Sequence, residues 1–353
     1  MEHKIIIPTG YMGSGSSAVT DLLSEVEGYS CSNGNFEYVF MHCPNGVFDL
    51  EDKLLEGNNA LRSDEALHEF RKCMFNLYSN KHYWVADYKD KISDHFMDWC
   101  DDFINSLIDE KSSDIFWYYQ ENPNFLIYSQ KLLSKILKTI SFGKISLKPG
   151  LKYKEMWISY PSEDEFYSNA KILLNRFFNH MGIKRSNVIL DQFILPHNLF
   201  RLDKYFNDNC KVIVVDRDPR DVFLLNKYYW SNVNANVPYS HDVVTFCENY
   251  DRMRKMEKKV NTDKILRIHF EDLVYKYDET VKEIFSFLDI NNIQHINART
   301  KLVPEKSKLN TQIFNKNKSF KNEKEYIEEK LYTYLYDFPL IDNQEFKFDD
   351  LIL

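Results

Sequence analysis

The sequence predicts an α/β protein built on a parallel sheet flanked by helices. The run Ile5–Ile7 is β-branched and uninterrupted, which is typical of a strand buried on both faces. A glycine- and serine-rich loop follows it, and an apolar stripe at helical spacing comes next. A second run, Lys211–Val215, also ends in charged residues before a helical pattern. Repeated strand–helix units of this kind favour a parallel sheet.

Composition limits the classes of protein that remain. The 353 residues can form one large α/β domain or two smaller ones, and 44% hydrophobic content supports a sizeable core. A net charge of −8 argues against a dedicated nucleic-acid binder. The six cysteines form no C-x-x-C pair, so we expect buried, reduced thiols. With no signal peptide or apolar run of membrane-spanning length, a soluble cytoplasmic protein is expected.

Hydrophobic periodicity places the remaining elements. Further strands are predicted over Phe36–Phe40, Val188–Leu190 and Lys264–Ile268. Helices are predicted over Leu61–Tyr78, Ile92–Ile108, Ser129–Ile140, Phe166–Met181, Asn198–Phe206, Pro219–Trp230, His241–Lys259, Phe270–Leu288 and Glu323–Tyr334. Loops are predicted over Gly28–Gly34 and Pro304–Asn310, and a loop or hairpin is predicted over Ser141–Pro161. We expect a single domain, 1–353, with a largely helical insertion at about 92–184 beside the sheet.

The first loop has the composition of an anion site. Its glycines allow a sharp turn and close approach to a ligand, and the following helix offers open N–H groups and serine hydroxyls. The candidate binding residues are Gly10, Tyr11, Met12, Gly13, Ser14, Gly15, Ser16 and Ser17. The pattern G-x-x-x-x-G-K-[ST] is matched except at Ser16, which replaces the lysine. The alternative is a βα turn that binds nothing.

Two arginines follow the strand Lys211–Val215. Arg217 and Arg220 lie where ligands bind open α/β sheets, and guanidinium groups form bidentate bonds with phosphate. The alternative is structural, with Arg217 paired to Asp221 or Arg220 paired to Asp216 in surface ion pairs.

The ordered set of motifs resembles the sulfotransferase superfamily of bacterial type, whose donor is 3′-phosphoadenosine 5′-phosphosulfate (PAPS). The resemblance rests on Gly10–Ser17, Val212–Val222 with its arginines, Asn198–Leu202 before that strand, Ile265–Leu273, and the late loop Pro304–Thr311. It covers both ends of the chain and leaves 92–184 without a match.

The resemblance implies a P-loop-like parallel sheet with the helical insertion on the acceptor side. The first loop would hold the 5′-phosphosulfate, and Arg217 would hold the 3′-phosphate. The late loop would cover the phosphates with Lys306, Ser307 and Asn310.

Two positions depart from the family's pattern. Gly13 stands where the family usually carries Lys or Arg, and Leu225 stands where it carries a serine, with Asn226 beside it as a stand-in. A donor-site cation is therefore expected from another position, and the candidates are Lys89, Lys91, Arg220 and Lys306.

The predicted general base lies after the strand Val188–Leu190. Asp191 follows that strand directly, and His197 is the second candidate in the same segment. Glu37 is a weaker candidate. The structural alternatives are a helix cap or buried carboxylate for Asp191 and a capping role for His197. We expect no metal, because no histidine has convincing ligand spacing.

Three functions compete at this point. The first is PAPS-dependent transfer of a sulfuryl group to a hydroxyl or amine, most plausibly of a carbohydrate or another small molecule. The second is a P-loop kinase or NTPase, which the serine at Ser16 disfavours. The third is a noncatalytic nucleotide-binding relative, which the changes at Gly13 and Leu225 favour. The acceptor and the oligomeric state are left open.

Overall fold

A computed structural model describes residues 4–31, 36–113, 125–147, 153, 155–182, 187–231 and 237–339. The chain divides into two compact units. One unit comprises Met1–His42 with Asn175–Leu353, and the other comprises Cys43–Leu174. The predicted organisation, a single domain with an insertion at about 92–184, stays a prediction.

The described residues form both strands and helices. The strands are β1 (Lys4–Gly10), β2 (Tyr29–Cys31), β3 (Glu110–Ser112), β4 (Met156–Ile158), β5 (Asn187–Ile189), β6 (Cys210–Asp216) and β7 (Ile265–His269). The helices are α1 (Ser17–Ser24), α2 (Val47–Leu55), α3 (Ala60–Ser79), α4 (Tyr88–Lys91), α5 (Phe96–Leu107), α6 (Phe125–Ile140), α7 (Glu163–Gly182), α8 (Leu202–Tyr205), α9 (Pro219–Leu224), α10 (Val243–Met256), α11 (Phe270–Tyr275), α12 (Tyr277–Leu288), α13 (Pro304–Ser307), α14 (Ile313–Lys316) and α15 (Lys321–Lys330).

Short helical turns of other kinds complete the structure. A π-helical turn, Leu225–Trp230, continues α9, and 3₁₀ turns lie at Pro196–Arg201, Asn292–Gln294, Lys308–Asn310, Lys318–Phe320 and Tyr332–Tyr334. The late loop predicted from Pro304 to Asn310 is therefore helical, formed by α13 and the 3₁₀ turn after it.

The central sheet confirms the predicted fold class. Its order is β2-β5-β1-β6-β7, and all of its pairings are parallel. β1 lies in the middle, where Ile6 is level with Ile189 on one side and Lys211 on the other. This position explains the uninterrupted β-branched run in β1, because both faces of that strand are covered. The carboxyl ends of β1, β5, β6 and β7 share one edge of the sheet.

Helices α1 and α12 cover one face of the sheet with the apolar stripes that the sequence predicts. Their buried side chains meet Ile213 and Val215 of β6 in one core, to which they contribute Val19, Leu22, Leu23, Ile284, Phe285 and Leu288. A second core joins α9, α10, α14 and α15 around Phe223, Phe246 and Phe314. The two cores fix the helices that follow β1 and β6.

The strand predicted over Phe36–Phe40 is wrong. This segment has no regular structure, and the edge strand is β2, within the predicted loop Gly28–Gly34, of which 32–35 lie outside the described residues. Aromatic packing explains the difference, since Phe40 lies 5.3 Å from the ring centroids of both Phe177 and Phe193. Side-chain burial, rather than a hydrogen-bonded ladder, holds this segment.

The second unit has the predicted helical character. Helix α3, from Ala60 to Ser79, confirms the predicted helix Leu61–Tyr78 and packs in this unit with α5 and with the antiparallel pair β3–β4. The buried Asp64 carboxylate of α3 accepts a 2.7 Å hydrogen bond from the Trp157 N–H of β4. The segment Ser141–Pro161, predicted as a loop or hairpin, contains β4, and its residues 148–152 and 154 lie outside the described ones.

The cysteines depart in part from expectation. All six are thiols rather than disulfide partners, and Cys31, Cys43 and Cys73 are only half-buried. The Sγ atoms of Cys43 and Cys73 lie 3.6 Å apart, although 30 positions separate them in the chain. Burial of every thiol was therefore a wrong expectation. Among the helices that the structure describes, none is both long and apolar enough to cross a membrane.

Glu25, at the end of α1, is expected to be a major stabilising carboxylate. Its buried side chain accepts hydrogen bonds from the ring of His295 (2.8 Å) and from the N–H groups of Arg299, Lys301 and Leu302 (3.0, 2.7 and 2.8 Å). Glu25→Gln places an amide NH₂ against these donors, so urea denaturation should show a loss of about 1–3 kcal/mol in the free energy of unfolding. The exposed Glu27→Gln is the matched control, and equal losses in the two variants would contradict this role.

Candidate active site

The loop between β1 and α1 makes a tight turn that depends on glycine. A Cβ at Gly10 would lie 2.0 Å from Ser14 Oγ and 2.5 Å from the Val215 carbonyl oxygen, so no side chain fits there. Gly13 and Gly15 have φ angles of +81° and +82°, which side chains other than hydrogen rarely permit. The turn closes with a 2.9 Å hydrogen bond from the Ser14 N–H to the Tyr11 carbonyl.

This loop fits an anion. Ser14 is only 3% exposed, and its hydroxyl has no hydrogen-bond partner among the residues that the structure describes. The start of α1 adds the positive end of the helix dipole, although the N–H groups of Ala18 and Val19 already donate to the Gly15 and Ser16 carbonyls at 3.0 and 2.9 Å. An oxyanion placed here would give the buried Ser14 hydroxyl an acceptor. Ser17 lies half-buried at the start of the helix.

Ser16 makes two side-chain contacts that the sequence did not predict. Its hydroxyl donates to Asp191 Oδ1 at 3.2 Å and accepts from Gln192 Nε2 at 3.0 Å. Because the one hydroxyl proton is used by the carboxylate, Ser16 ties the anion loop to the end of β5. Its role as an anion contact stays a prediction.

Arg217 joins the first loop to the late loop. The guanidinium is 5% exposed and donates from Nη1 to the Gly13 carbonyl at 3.2 Å and from Nη2 to the Asn310 carbonyl at 2.6 Å. It lies 4.6 Å from the centroid of the Phe270 ring. Its Nε has no hydrogen-bond partner in the described part of the chain. The structure thus brings together Gly13, Arg217 and Asn310, which the sequence placed in three separate motifs.

Buried carboxylates surround Arg217 and fix the late loop. Asp221 accepts 2.8 Å hydrogen bonds from the N–H groups of both Gln312 and Ile313. Glu271 accepts a 2.9 Å hydrogen bond from the Asp218 N–H. Burial raises the pKa of Asp221 to about 7 and that of Glu271 to about 8. Burial also lowers the pKa of Arg217, while the charges of these acids oppose that effect.

Arg220 is engaged by protein partners. It forms ion pairs with Asp218 at 2.7 Å and Glu328 at 2.6 Å, and it lies 4.0 Å from the centroid of the Phe314 ring. This arrangement is the ion-pair alternative that the sequence left open, with partners other than Asp216. A phosphate contact by Arg220 stays a prediction.

Asn226 acts on the first loop through Tyr239. Its amide donates to the Tyr239 carbonyl at 3.0 Å and accepts from the Tyr239 N–H at 3.3 Å. The Tyr239 hydroxyl then donates to the carbonyl of Met12 at 3.0 Å. Asn226 is therefore one residue removed from the loop, and the sequence offered no signal for Tyr239.

The remaining predicted cations are three lysines, one on α13 and two on α4. Lys306 is exposed on α13, four residues before Asn310, and Ser307 beside it is half-buried. Both donate their backbone N–H to the Val303 carbonyl at 3.0 Å. Lys89 and Lys91 belong to α4 of the second unit.

Arg254 of α10 is a neighbour of the loop that sequence reasoning missed. Its guanidinium carbon lies 4.1 Å from the centroid of the Tyr11 ring, and its Nη1 pairs with Asp216 Oδ1 at 2.9 Å. A second ring, that of Tyr334, lies 5.0 Å away. The segment 252–259 carries several cations, so nothing in the sequence distinguished Arg254 from exposed ones such as Arg252.

Tyr11 also contacts Glu257 through its hydroxyl and His197 through its ring. Its buried hydroxyl donates to the Glu257 carboxylate, which also pairs with Arg267. Burial, followed by this hydrogen bond, raises the pKa of Tyr11. His197 meets the Tyr11 ring edge-on at a centroid distance of 5.6 Å, and its Nε2 hydrogen-bonds to the Met253 carbonyl at 3.2 Å. The predicted His197 thus lies beside the loop, in contact with structural groups.

Asp191 lies at the edge of the sheet, and the pKa of its carboxyl group suits proton transfer at neutral pH. It is 3% exposed, and burial, followed by the nearby charge of Glu37, raises its pKa to about 7. Burial also raises the pKa of Glu37. A carboxyl group with this pKa exchanges protons readily at neutral pH.

Gln192, the next residue, has a left-handed backbone conformation with φ +55°. Its side chain and its carbonyl both accept hydrogen bonds at the same edge of the sheet. Thr9 Oγ1 donates to its side-chain oxygen at 3.1 Å. The ring of His42 donates to the Gln192 carbonyl at 2.9 Å, and burial lowers the pKa of His42 to about 4, so this ring is neutral at pH 7. The sequence did not indicate either role.

Comparison with known proteins decides the family. The family model described as "Sulfotransferase family" matches residues 6–294, which is most of the chain. The chain belongs to the sulfotransferase family. This confirms the resemblance inferred from the motifs, and membership of the family supports sulfuryl transfer as the general activity of this sulfotransferase.

Solved structures similar to this sulfotransferase are distant. The sulfotransferase domain of the Synechococcus PCC 7002 olefin synthase is 12% identical, with 96% of this chain and 98% of that chain covered and a TM-score of 0.38. The sulfotransferase domain from the curacin biosynthetic pathway is also 12% identical, with 96% and 99% covered and a TM-score of 0.35. Sulfotransferase STF9 from Mycobacterium avium is 11% identical, with 96% and 78% covered and a TM-score of 0.36. A comparison with curated proteins finds none that matches.

The contact between Arg254 and Tyr11 leads to a testable outcome. Arg254→Met leaves Asp216 without its ion-pair partner and removes the cation from the Tyr11 ring. We expect a loss of about 1–3 kcal/mol in the free energy of unfolding and a raised KM for the sulfuryl donor. Arg252→Met, which changes an exposed arginine in the same helix, is the matched control. Identical KM values in the two variants would show that Arg254 does not position the loop.

Proposed function

We propose that this sulfotransferase transfers the sulfuryl group of PAPS to a hydroxyl or amine of a carbohydrate or another small molecule. One observation carries the proposal. At one edge of the sheet, Arg217 donates hydrogen bonds both to the first loop, at Gly13, and to the late loop, at Asn310. PAPS has an anion at each end of its ribose, a 5′-phosphosulfate and a 3′-phosphate. The loop and the buried arginine offer a separate site for each.

The donor supplies a sulfuryl group already bonded to a phosphate leaving group. In this proposal the phosphosulfate oxygens are held by the Ser14 hydroxyl, which has no acceptor among the described residues, and by the positive end of the α1 dipole. Arg217 holds the 3′-phosphate with its open Nε. Phe270 supports the plane of the guanidinium, which restricts its direction.

Charge on the leaving phosphate must be stabilised without a loop lysine, since Gly13 carries no side chain. Preorganised N–H donors in the first loop supply part of this stabilisation. Among the cations that the sequence proposed, Arg220 is committed to Asp218 and Glu328. Lys306 lies on the segment that Arg217 already joins to the loop, so we propose Lys306 as the additional cation.

Asp191 is proposed as the general base. Its carboxylate takes the proton of the acceptor hydroxyl or amine as the sulfuryl group is transferred, and Ser16 holds it beside the loop. His197 is the second candidate. A kinase would need a lysine at the position that Ser16 occupies, which disfavours that alternative. The noncatalytic alternative differs from this proposal because it requires no general base.

Substitution of the base separates catalysis from donor binding. Asp191→Asn should lower kcat by about 10²–10⁴-fold with little change in donor affinity, since only proton transfer is lost. Release of adenosine 3′,5′-bisphosphate from PAPS, measured with a panel of sugar and amine acceptors, provides the readout. His197→Gln is the comparison variant. An unchanged kcat in Asp191→Asn, or a larger loss in His197→Gln, would refute the assignment; no transfer by the unaltered protein with any acceptor would support the noncatalytic alternative.

The pH dependence of kcat tests the same group. The basic form of Asp191 is required, so the rate should rise about tenfold per pH unit below the pKa of about 7 and level off above it. The charge of Glu37 raises that pKa, so Glu37→Gln should move the midpoint to lower pH and retain the plateau. If Glu37→Gln lost the high-pH plateau of kcat, Glu37 would be the base instead of Asp191. If the midpoint of the profile did not move, the effect of the Glu37 charge on the pKa of Asp191 would be contradicted.

A further inference from the structure

One helix of the second unit exposes an apolar face. In α6 and the residues after it, the described side chains over 128–147 are all exposed or half-buried. Leu132, Ile140 and Phe142 are 62%, 71% and 95% exposed. Isolated exposed apolar residues are ordinary, but a contiguous set indicates a surface that meets a partner.

The two faces of α6 differ in chemistry. At 100° per residue, Leu132, Leu133, Ile136 and Ile140 fall within an arc of about 100°. Lys131, Lys135 and Lys138 fall within an arc of about 60° on the other side of the helix. This separation of faces is typical of helices that lie in a membrane–water interface.

Charge sets this segment apart from the rest of the chain. Residues 122–154 contain seven lysines and no Asp or Glu, whereas the whole chain has a net charge of −8. A partner of complementary charge is therefore anionic, and the exposed leucines and isoleucines require it to have an apolar interior as well. An anionic lipid bilayer has both properties at its surface.

The chain after α6 folds back and enlarges the apolar surface. The Leu147 N–H donates to Ser134 Oγ at 2.9 Å, which ties the returning segment to the middle of the helix. Phe142 lies at the turn, and Ile145 and Leu147 are exposed on the returning segment. We call residues 125–147 the basic hairpin. It is an internally bonded unit and does not depend on the donor site.

We propose that the basic hairpin binds the surface of anionic membranes. Its leucines, isoleucines and Phe142 enter the boundary between headgroups and acyl chains, and its lysines contact anionic headgroups. A protein groove would also accept an apolar helix face, but the four lysines of the hairpin, with no acidic residue among them, favour the uniformly anionic surface of a bilayer. The separated apolar and basic faces of α6 correspond to a helix that lies along the membrane surface.

Flotation of the full chain with lipid vesicles tests this proposal. The protein should float with vesicles of phosphatidylcholine mixed with phosphatidylglycerol, remain unbound with phosphatidylcholine alone, and dissociate as salt rises. Lys131→Gln/Lys135→Gln/Lys138→Gln should weaken the partition coefficient by at least about tenfold, because each lysine near an anionic surface contributes about fivefold. Leu132→Ser/Ile136→Ser/Ile140→Ser should abolish flotation.

Matched controls separate the hairpin from general surface effects. Ile293→Ser/Ile296→Ser removes apolar side chains that are 82% and 61% exposed in the other unit, and it should float normally. Thermal unfolding should be unchanged in every variant, since all substituted side chains are exposed. Equal binding to neutral vesicles, or undiminished flotation of both hairpin variants, would overturn the proposal. Hairpin-dependent self-association without lipid, seen by light scattering, would overturn it in favour of a protein partner.

Discussion

A buried guanidinium is the constraint on which this site depends. Arg217 lies between the first loop and the late loop and donates to a backbone carbonyl of each, Gly13 and Asn310. A cation removed from water is costly unless its donors and charge are compensated. The two carbonyls accept from its Nη atoms and the Phe270 ring packs against it, while its buried Nε has no hydrogen-bond partner among the described residues. The residue that joins the two loops therefore also has an unpaired donor for an anion.

The parallel sheet makes this arrangement possible. Because the carboxyl ends of four strands share one edge, residues far apart in the chain become neighbours there. Asp191 after β5 meets Ser16 of the first loop, and Asp216 at the end of β6 pairs with Arg254. Burial at the same edge gives Asp191 a pKa of about 7, so one environment both anchors the loop and supplies a group for proton transfer.

The sequence predicted the local features of the site better than its long-range contacts. The glycine loop and Arg217 were recognisable because their chemistry is encoded in adjacent residues. Tyr239 and Arg254 were not, since each acts on the loop from more than 200 residues away in the chain. The strand propensity of Phe36–Phe40 led to a wrong prediction, because this segment is held by aromatic packing and pairs with no strand of the sheet. Periodicity also predicted the helix Ser129–Ile140 but not its exposure, because exposure depends on what the rest of the fold leaves uncovered.

Calorimetric titration with adenosine 3′,5′-bisphosphate and with ADP, in the natural protein and in Arg217→Gln, tests the central claim most directly. We predict micromolar binding of the bisphosphate, about −8 kcal/mol, and much weaker binding of ADP. Arg217→Gln should reduce the ratio of the two affinities by about tenfold or more, because a charge-assisted bond to the 3′-phosphate is lost. The ratio within each variant removes the effect of any general loss of folded protein. An affinity ratio unchanged by the substitution, or equal binding of the two nucleotides to the natural protein, would contradict the account.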